Sequence, residues 1–347
     1  KTTKIPLGYV AQGHRVLVLN PSVATMSAIG DYVANLAGQA PSVYAGHGQN
    51  AISRTTDSKL TYCTYGRFLT APGLRLMNCD VVICDECHSS DPTVLLGIGM
   101  VRLKAQEHGV KLVLFATATP PGTPMVPHPD IEEVRVDASG DFPFYGHKLK
   151  LETLKHGRHL IFCHSRSETE RVALALVSHG VKAVFHYRGR DVGAIPASGD
   201  LVVVSTDALC TGYTGDFDTV TDCGMMVVEE VVVTLTPTID VVTRVRPVSA
   251  DVAMQRRGRC GRGRRGTYYH LGGAPTPVGI VSSGAVWSAM EAAITWYNMS
   301  CRHAEEVLRL FGECPYTSHL PSCLSDARVF MEGLVPFVTN ENVTRCR

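Results

Sequence analysis

VVICDECHSS, residues 81–90, is the stretch on which the fold turns. Two readings compete for it. Cys84 and Cys87 make a C-x-x-C, which suits half of a metal site or a redox pair. Alternatively, four apolar residues, counting Cys84, form a buried strand that ends in Asp85 and Glu86. An Asp at the C-terminal end of a buried parallel strand sits where nucleotide sites form in open sheets. It can hold Mg²⁺ through water, while the adjacent Glu orients or deprotonates an attacking water. For the dipeptide alone, a strand closing in two solvated acids is the more frequent outcome. Cys87 and His88 extend it to D-E-x-H and shift the weight.

Working outward, residues 15–20 (RVLVLN) read as another buried strand, followed by helical spacing over 24–36 that ends at Gly38. Residues 60–65, 80–85 and 111–116 are further strands. Thr117-Ala118-Thr119 closes the last of them, an ordinary strand exit on its own. Residues 119–129 hold five prolines and form a linker. A second series repeats the alternation. Residues 160–163 (LIFC), 183–186 and 201–205 are strands, and Ser167-x-x-Glu170 reads as a capping box opening a helix over 169–178, closed by Gly180. Residues 227–235 and 241–245 are two arms of a hairpin. From Ser288 helical patterns dominate, at 289–297 and 304–311. The expected architecture is α/β: two tandem doubly wound parallel-sheet domains, 1–121 and 122–278, with a hairpin near 227–245. A partial, mainly helical third domain covers 279–347.

Composition permits this and excludes little else. A chain of 347 residues suits two or three domains, and 45% hydrophobic with 19% charged residues is normal for a folded protein. The formal net charge of +1 announces no nucleic acid, so local charge must carry that argument. No apolar run approaches the ~18–20 residues of a membrane span. The chain opens on Lys1-Thr2-Thr3-Lys4, without Met or a signal-peptide pattern, and reads as a piece of something longer. Twelve cysteines are scattered, with no second pair at ligand spacing. Reduced, buried thiols in a cytosolic compartment are the expectation.

The strongest local signal is QRRGRCGRG, residues 255–263. Six arginines fall between residues 256 and 265. Arg offers planar bidentate recognition of phosphate and can act as a finger on a transferring phosphoryl group. A basic patch or a solvated face is the bland alternative, and the regular Q-R-x-G-R-x-G-R spacing argues against the second. His164-Ser165, Tyr187-Arg188 and Ser205-Thr206-Asp207 each follow a strand, and Thr211-Gly212-Tyr213-Thr214-Gly215 comes next. Any one of them is ordinary; together they suggest a shared surface for backbone phosphates. Lys1-Thr2 reads as the tail of a Walker A loop, G-x-x-x-x-G-K-[ST], whose glycines the chain does not contain. Trp296 lies on a helical pattern with apolar neighbours, so core packing is its default, with base stacking as the functional alternative.

D-E-C-H, T-A-T and Q-R-R-G-R-x-G-R-G, in this order on tandem α/β domains, resemble superfamily 2 DExH helicases, whose domains are RecA-like. With VLVLNPSVA (16–24), TYGRFL (64–69), ATATPPG (116–122), GRHLIFCHS (157–165) and STDALCTGYTGDFD (205–218), the chain resembles the helicase portion of the third nonstructural protein of hepaciviruses and pegiviruses. The pegivirus branch looks closest. The resemblance implies an NTP-driven, RNA-stimulated helicase that moves from the 3′ end of a strand during viral RNA replication. It implies ATP or another NTP with Mg²⁺, held by Lys1, Thr2, Gly212 and Thr214, with Thr2 and Asp85 at the metal. Glu86 would activate water, and His88 would couple to Gln255. Arg259 and Arg262 would reach the phosphates.

The resemblance further implies that Ser22, Thr64, His164, Ser165, Arg188, Thr206 and Thr211 hold the nucleic-acid backbone. Val227 and Trp296 would bracket the bases. Implied partners are single-stranded RNA, RNA duplexes with a 3′ overhang, and the viral protease domain and replication-complex proteins of the parent polyprotein. The implied place is the host cytoplasm, at the cytoplasmic face of ER-derived membranes through partner proteins. Cys260 stands where relatives commonly carry Thr, between two arginines, with little effect expected. Three alternatives stay open: an RNA-stimulated NTPase without unwinding, a non-catalytic RNA-binding module, and a metal or redox protein built on Cys84 and Cys87. Unwinding beside ATP turnover separates the first. Indifference to Glu86→Gln favours the second, and stoichiometric zinc the third.

Overall fold

In the computed structural model the described residues are 2–48, 51–117, 126–137, 139–210, 213, 215–233, 239–273, 281–314 and 320–334. The chain divides into two compact units: Lys1–Pro121 with Glu229–Val242 and Gly279–Arg347, and Gly122–Val228 with Thr243–Val278.

The first unit begins with helix α1 (Lys4–Ala11), strand β1 (Val16–Asn20) and helix α2 (Val23–Ala37). Strands β2 (Ser42–Ala45), β3 (Ile52–Arg54) and β4 (Leu60–Thr64) follow, then the short helices α3 (Tyr65–Leu69) and α4 (Pro72–Leu76). Strand β5 (Val81–Asp85), helix α5 (Pro92–Lys104) and strand β6 (Leu112–Ala116) complete the series. The sheet order is β3-β2-β4-β1-β5-β6, parallel except for the β2–β3 edge pair.

The continuous apolar runs are explained by burial on both faces. In β1, Val16 and Val18 enter one core while Leu17 and Leu19 enter the other. In β5, Val81 and Ile83 join the first core, and Val82 and Cys84 the second. Asp80, expected inside β5, lies just before it and ties the strand starts together. It accepts from the Arg15 amide at 2.9 Å and pairs with Lys111 at 2.8 Å. Ser22 caps α2 by accepting from the Thr25 amide, and Gly38, at φ +67°, ends it in the left-handed region.

The second unit holds β7 (Ile131–Arg135), β8 (Phe142–Phe144), β9 (His147–Leu149), α6 (Leu151–Leu154), β10 (Arg158–Phe162) and α7 (Arg166–Ser178). Then come β11 (Ala183–His186), β12 (Leu201–Ser205) and β13 (Thr219–Asp222). The hairpin strands β14 (Met225–Val233) and β15 (Ile239–Pro247) start and end in this unit, while their stretch from Glu229 to Val242 is grouped with the first; α8 (Ala250–Arg257) and β16 (Gly266–His270) follow. Its main sheet, β11-β12-β10-β13-β16-β7, is wholly parallel. Helix α7 starts three residues earlier than expected. Ser165, not Ser167, is its cap and accepts from the Glu168 amide at 3.3 Å.

Three helices end the described chain: α9 (Ser283–Tyr297), α10 (Cys301–Gly312) and α11 (Leu324–Leu334). They belong to the first unit, where α9 and α10 pack on α5. Helix α5 is buried from Val94 to Val101, as an all-round apolar helix must be. Two of its residues are glycine for a steric reason. A Cβ on Gly97 would stand 2.4 Å from the Tyr65 ring, and one on Gly99 would stand 2.0 Å from the Val307 carbonyl oxygen of α10. Both sheet units are RecA-like: parallel, doubly wound, with helices on the faces.

Candidate active site

Strand register sets the first site. Asn20 lies level with Thr64, and Leu19 with Cys84. Ser22, Thr64 and Asp85 therefore share the carboxyl edge of one sheet, where open α/β sheets bind ligands. Asp85 is 1% exposed. Its Oδ2 accepts from Thr2 Oγ1 at 2.8 Å and from Asn20 Nδ2 at 3.2 Å, and its Oδ1 accepts from the Glu86 amide at 3.1 Å. Its carbonyl accepts from the Tyr65 hydroxyl at 2.9 Å. Tyr62 reaches across to the Thr2 carbonyl at 2.9 Å. Burial, then the Asp85 charge, hold the Tyr62 phenol well above its usual range, so it stays a donor. The carboxylate is fixed from several sides and presents to the Thr2 hydroxyl.

Glu86 has a left-handed backbone, φ +54°, unusual for a non-glycine residue and a mark of functional sites. The turn brings its Oε2 to 3.5 Å from His88 Nδ1, which lies 2.7 Å from Thr117 Oγ1. Thr117 thus joins the end of β6 to the D-E-x-H turn. Cys84 and Cys87 lie apart from this, fully buried in the core with Tyr65 and α5. Burial, then Cys87, push the Cys84 thiol far up, away from the thiolate that redox or metal work needs. Among the described residues, no group of three His, Cys, Asp or Glu is placed to hold a metal.

Thr2 and Asp85 supply hard oxygen donors 2.8 Å apart, the kind Mg²⁺ takes when it keeps waters and substrate phosphates as its other ligands. The donor set fits that ion.

In the second unit the arginine-rich segment is mostly spoken for. Arg256 is 0% exposed. It donates from Nε and Nη2 to the two Asp207 oxygens at 2.7 and 3.0 Å, and from Nη1 to Asp222 Oδ1 at 2.5 Å. Tyr268 donates to the other Asp222 oxygen at 2.7 Å. Burial opposes the charge on Arg256, but Asp222 and Asp207 outweigh it and raise its pKa further. Arg257 pairs with Glu133, and Arg264 with Asp216 and Asp218. Sequence reading passed over Arg256; the signal was an Asp two residues beyond β12, in S-T-D, and another ending β13, in T-V-T-D, on the two strands that flank β10.

Arg259 donates to the carbonyls of Tyr213, at 3.0 Å, and Cys210. Burial, then Arg262, lower its pKa to about 10, so it stays charged at neutral pH. Arg262 is exposed, and its Nε donates to the Gly258 carbonyl at 2.9 Å. Gln255 is half-buried on α8. Cys260 does not lie between its arginine neighbours. Its side chain turns into the core beside Phe217, and its thiol is pushed up to about 12, chiefly by burial.

His164, Ser165, Arg188 and Thr206 do come to one edge. Phe162, His186 and Ser205 are level across β10, β11 and β12, and the four residues follow just after them. His164 Nδ1 lies 2.5 Å from the Tyr145 hydroxyl, Thr206 accepts from the Ala208 amide at 3.4 Å, and Arg188 is exposed. Val227 and Trp296 are 40% and 56% exposed, so core packing is not the role of Trp296. Lys1, Thr211, Gly212 and Thr214 lie outside the described residues.

One RecA-like unit thus ends β5 in Asp85 with Glu86 directly after it, and the other carries a buried arginine anchor at Arg256. Residues 8–131 match the model of the family described as Flavivirus DEAD domain. The chain is similar, at 45% identity over 98% of its length, to the genome polyprotein of hepatitis C virus genotype 5a (isolate SA13). It is 44% identical, over the same share, to those of genotypes 6k (isolate VN405) and 2b (isolate JPUT971017). The chain spans 11% of the length of these relatives. No described helix is long and apolar enough to cross a membrane.

Proposed function

We propose that the chain is an NTP-dependent RNA helicase that couples ATP hydrolysis to movement from the 3′ end of a strand. The observation that carries this reading is the buried Asp85, fixed against the Thr2 hydroxyl, with Glu86 turned beside His88 at the same strand end. Thr2 and Asp85 would hold Mg²⁺, which supplies charge neutralisation at the β- and γ-phosphates when bound. The Thr2 hydroxyl, the Asn20 amide and the Glu86 amide all donate to Asp85 and fix its orientation. Glu86 orients the attacking water and accepts its proton at a carboxylate oxygen. His88, held by Thr117 at 2.7 Å, steadies Glu86 at 3.5 Å, and His88 and Gln255 are each assigned to coupling turnover to strand movement. Lys1, Gly212 and Thr214 are assigned to the nucleotide, and Arg259 and Arg262 to its phosphates.

Ser22 and Thr64 in one unit, and His164, Ser165, Arg188, Thr206 and Thr211 in the other, are assigned to the RNA backbone. Val227 and Trp296 are assigned to the bases. Exposed Trp296 is a suitable stacking platform. The protease domain and replication-complex proteins of a parent polyprotein, at the cytoplasmic face of ER-derived membranes, complete the reading. Strand separation is measured on a duplex with a 3′ overhang, beside one with a 5′ overhang, with ATP turnover recorded in the same samples. Unwinding of the 3′-tailed duplex alone is the expected result. Turnover without separation of either duplex would replace the helicase by an RNA-stimulated NTPase.

A further inference from the structure

Two arginines of the first unit are left over by the site above. Arg75, in α4, lays its guanidinium on the Tyr44 ring, 3.6 Å from the centroid. Arg67, in α3, donates from Nη2 to Ser53 Oγ at 3.3 Å. Tyr44 and Ser53 face each other across the β2–β3 pair, so both guanidiniums are delivered to one strip of the sheet edge. The Cys63 thiol, level with Tyr44 on β4, reports the same convergence. Burial raises it to about 12, against the opposing pull of Arg75 and then Arg67.

These cations have little to do within the chain. The Nε of each is enclosed and makes no hydrogen bond. Among the described residues neither forms an ion pair with a carboxylate. Arg54, the next arginine along the same edge, shares the enclosed Nε but has a counter-charge: its Nη1 meets Asp31 Oδ1 at 3.1 Å. Two cations held near each other without counter-charge repel, unless an anion joins them. A guanidinium fork matches phosphate, and the Tyr44 hydroxyl, 2.8 Å from Thr55 Oγ1, adds a polar group at the same place.

The place favours a phosphodiester. Arg67 follows Thr64 by one turn of chain, across Gly66. A Cβ at Gly66 would stand 3.2 Å from the Tyr297 hydroxyl and 3.3 Å from His47 Nε2, so glycine keeps this stretch bare between them. We propose that Arg67 and Arg75, with Tyr44 propping the second, form a phosphate seat that extends the RNA track beyond Thr64. This inference rests on the RNA-binding reading of the preceding subsection.

The test is equilibrium binding of labelled oligo-uridylates, long and short, by fluorescence anisotropy over a range of salt. Each phosphate contact to a single strand contributes about 0.7 to the slope of log K against log salt. The Arg67→Gln/Arg75→Gln protein should lose about 1.4 from the slope for the long strand. The short strand and the Arg54→Gln protein should keep theirs. In parallel, phenylglyoxal modification of the unaltered protein, read by mass spectrometry, reports on the arginines without any substitution. Long oligo-U should protect Arg67 and Arg75 but not Arg54. An unchanged slope in a folded double variant, or no protection where RNA binds, overturns the phosphate seat and leaves the RNA reading standing. Protection by an acidic peptide but not by RNA also overturns it. Failure of the unaltered protein to bind oligo-U at all removes the RNA reading, and the seat with it.

Discussion

ATP turnover by the Glu86→Gln protein is expected to fall by about 10²–10⁴-fold, the range that a positioned general base contributes. The substitution keeps the size and hydrogen-bonding reach of the side chain, so the fold has no reason to change. On the proposed mechanism, what it removes is the proton acceptor. Asp85, held by Thr2, Asn20 and the residue-86 amide, keeps its partners, and nucleotide affinity should stay within a few-fold. The left-handed backbone at residue 86 is indifferent to the exchange, because Gln and Glu share the same steric limits there. Steady-state turnover beside nucleotide binding makes the split visible. Full turnover with Gln at 86 would assign the proton to another group and leave the strand-end carboxylate a structural one.

The second large effect is on stability. Arg256→Ala removes the cation from between two carboxylates, one of which, Asp222, is 1% exposed. Breaking a buried pair from one side leaves a charge without compensation, at a cost of about 3–5 kcal/mol. Asp207 is half open to solvent and recovers water, so Asp222 dominates the loss. Adding Asp222→Asn to the variant removes the stranded charge while leaving an acceptor for the Tyr268 hydroxyl, and should restore much of the stability. Hydrogen exchange along a urea series, read by mass spectrometry on second-unit peptides, reports this unit separately from the first. An Arg256→Ala protein as stable as its parent would mean that Asp222 is served by water. Because α8 also carries Gln255, a loosened Arg256 should misplace that residue as well.

How much of this could be read in the sequence varies by element. Strands β1, β5, β10 and β12 were plain, because a run such as RVLVLN or LVVVS is apolar on both faces and ends at a polar residue. Helix α5 was not, for the same reason. Its run TVLLGIGMV has no polar stripe, so periodicity gives nothing to hold, and only the packing of α3 and α10 explains Gly97 and Gly99. The cap of α7 was misplaced because Ser165 and Ser167 both precede acidic residues; the backbone turn selects the first. At the site, Asp85, Glu86 and His88 were legible from one string. Asn20, Tyr62 and Tyr65 were not, since their roles depend on register between strands far apart in sequence. The arginine segment misled in proportion to its charge: a cluster that looks basic is in large part neutralised by Glu133, Asp207, Asp216, Asp218 and Asp222. C-x-x-C was the reverse case: the spacing matched a chemistry, while both thiols lie buried in the core and burial holds the Cys84 thiol protonated.

The central claim is that a strand-end Asp-Glu pair turns over nucleotide under the control of RNA. The most direct measurement is ATP hydrolysis in the presence of Mg²⁺, with and without poly-U RNA, by the protein and by its Glu86→Gln form. The account predicts hydrolysis by the unaltered protein that rises several-fold on adding poly-U and is lost in the variant. Hydrolysis equally low in both proteins, and unmoved by poly-U, would contradict it.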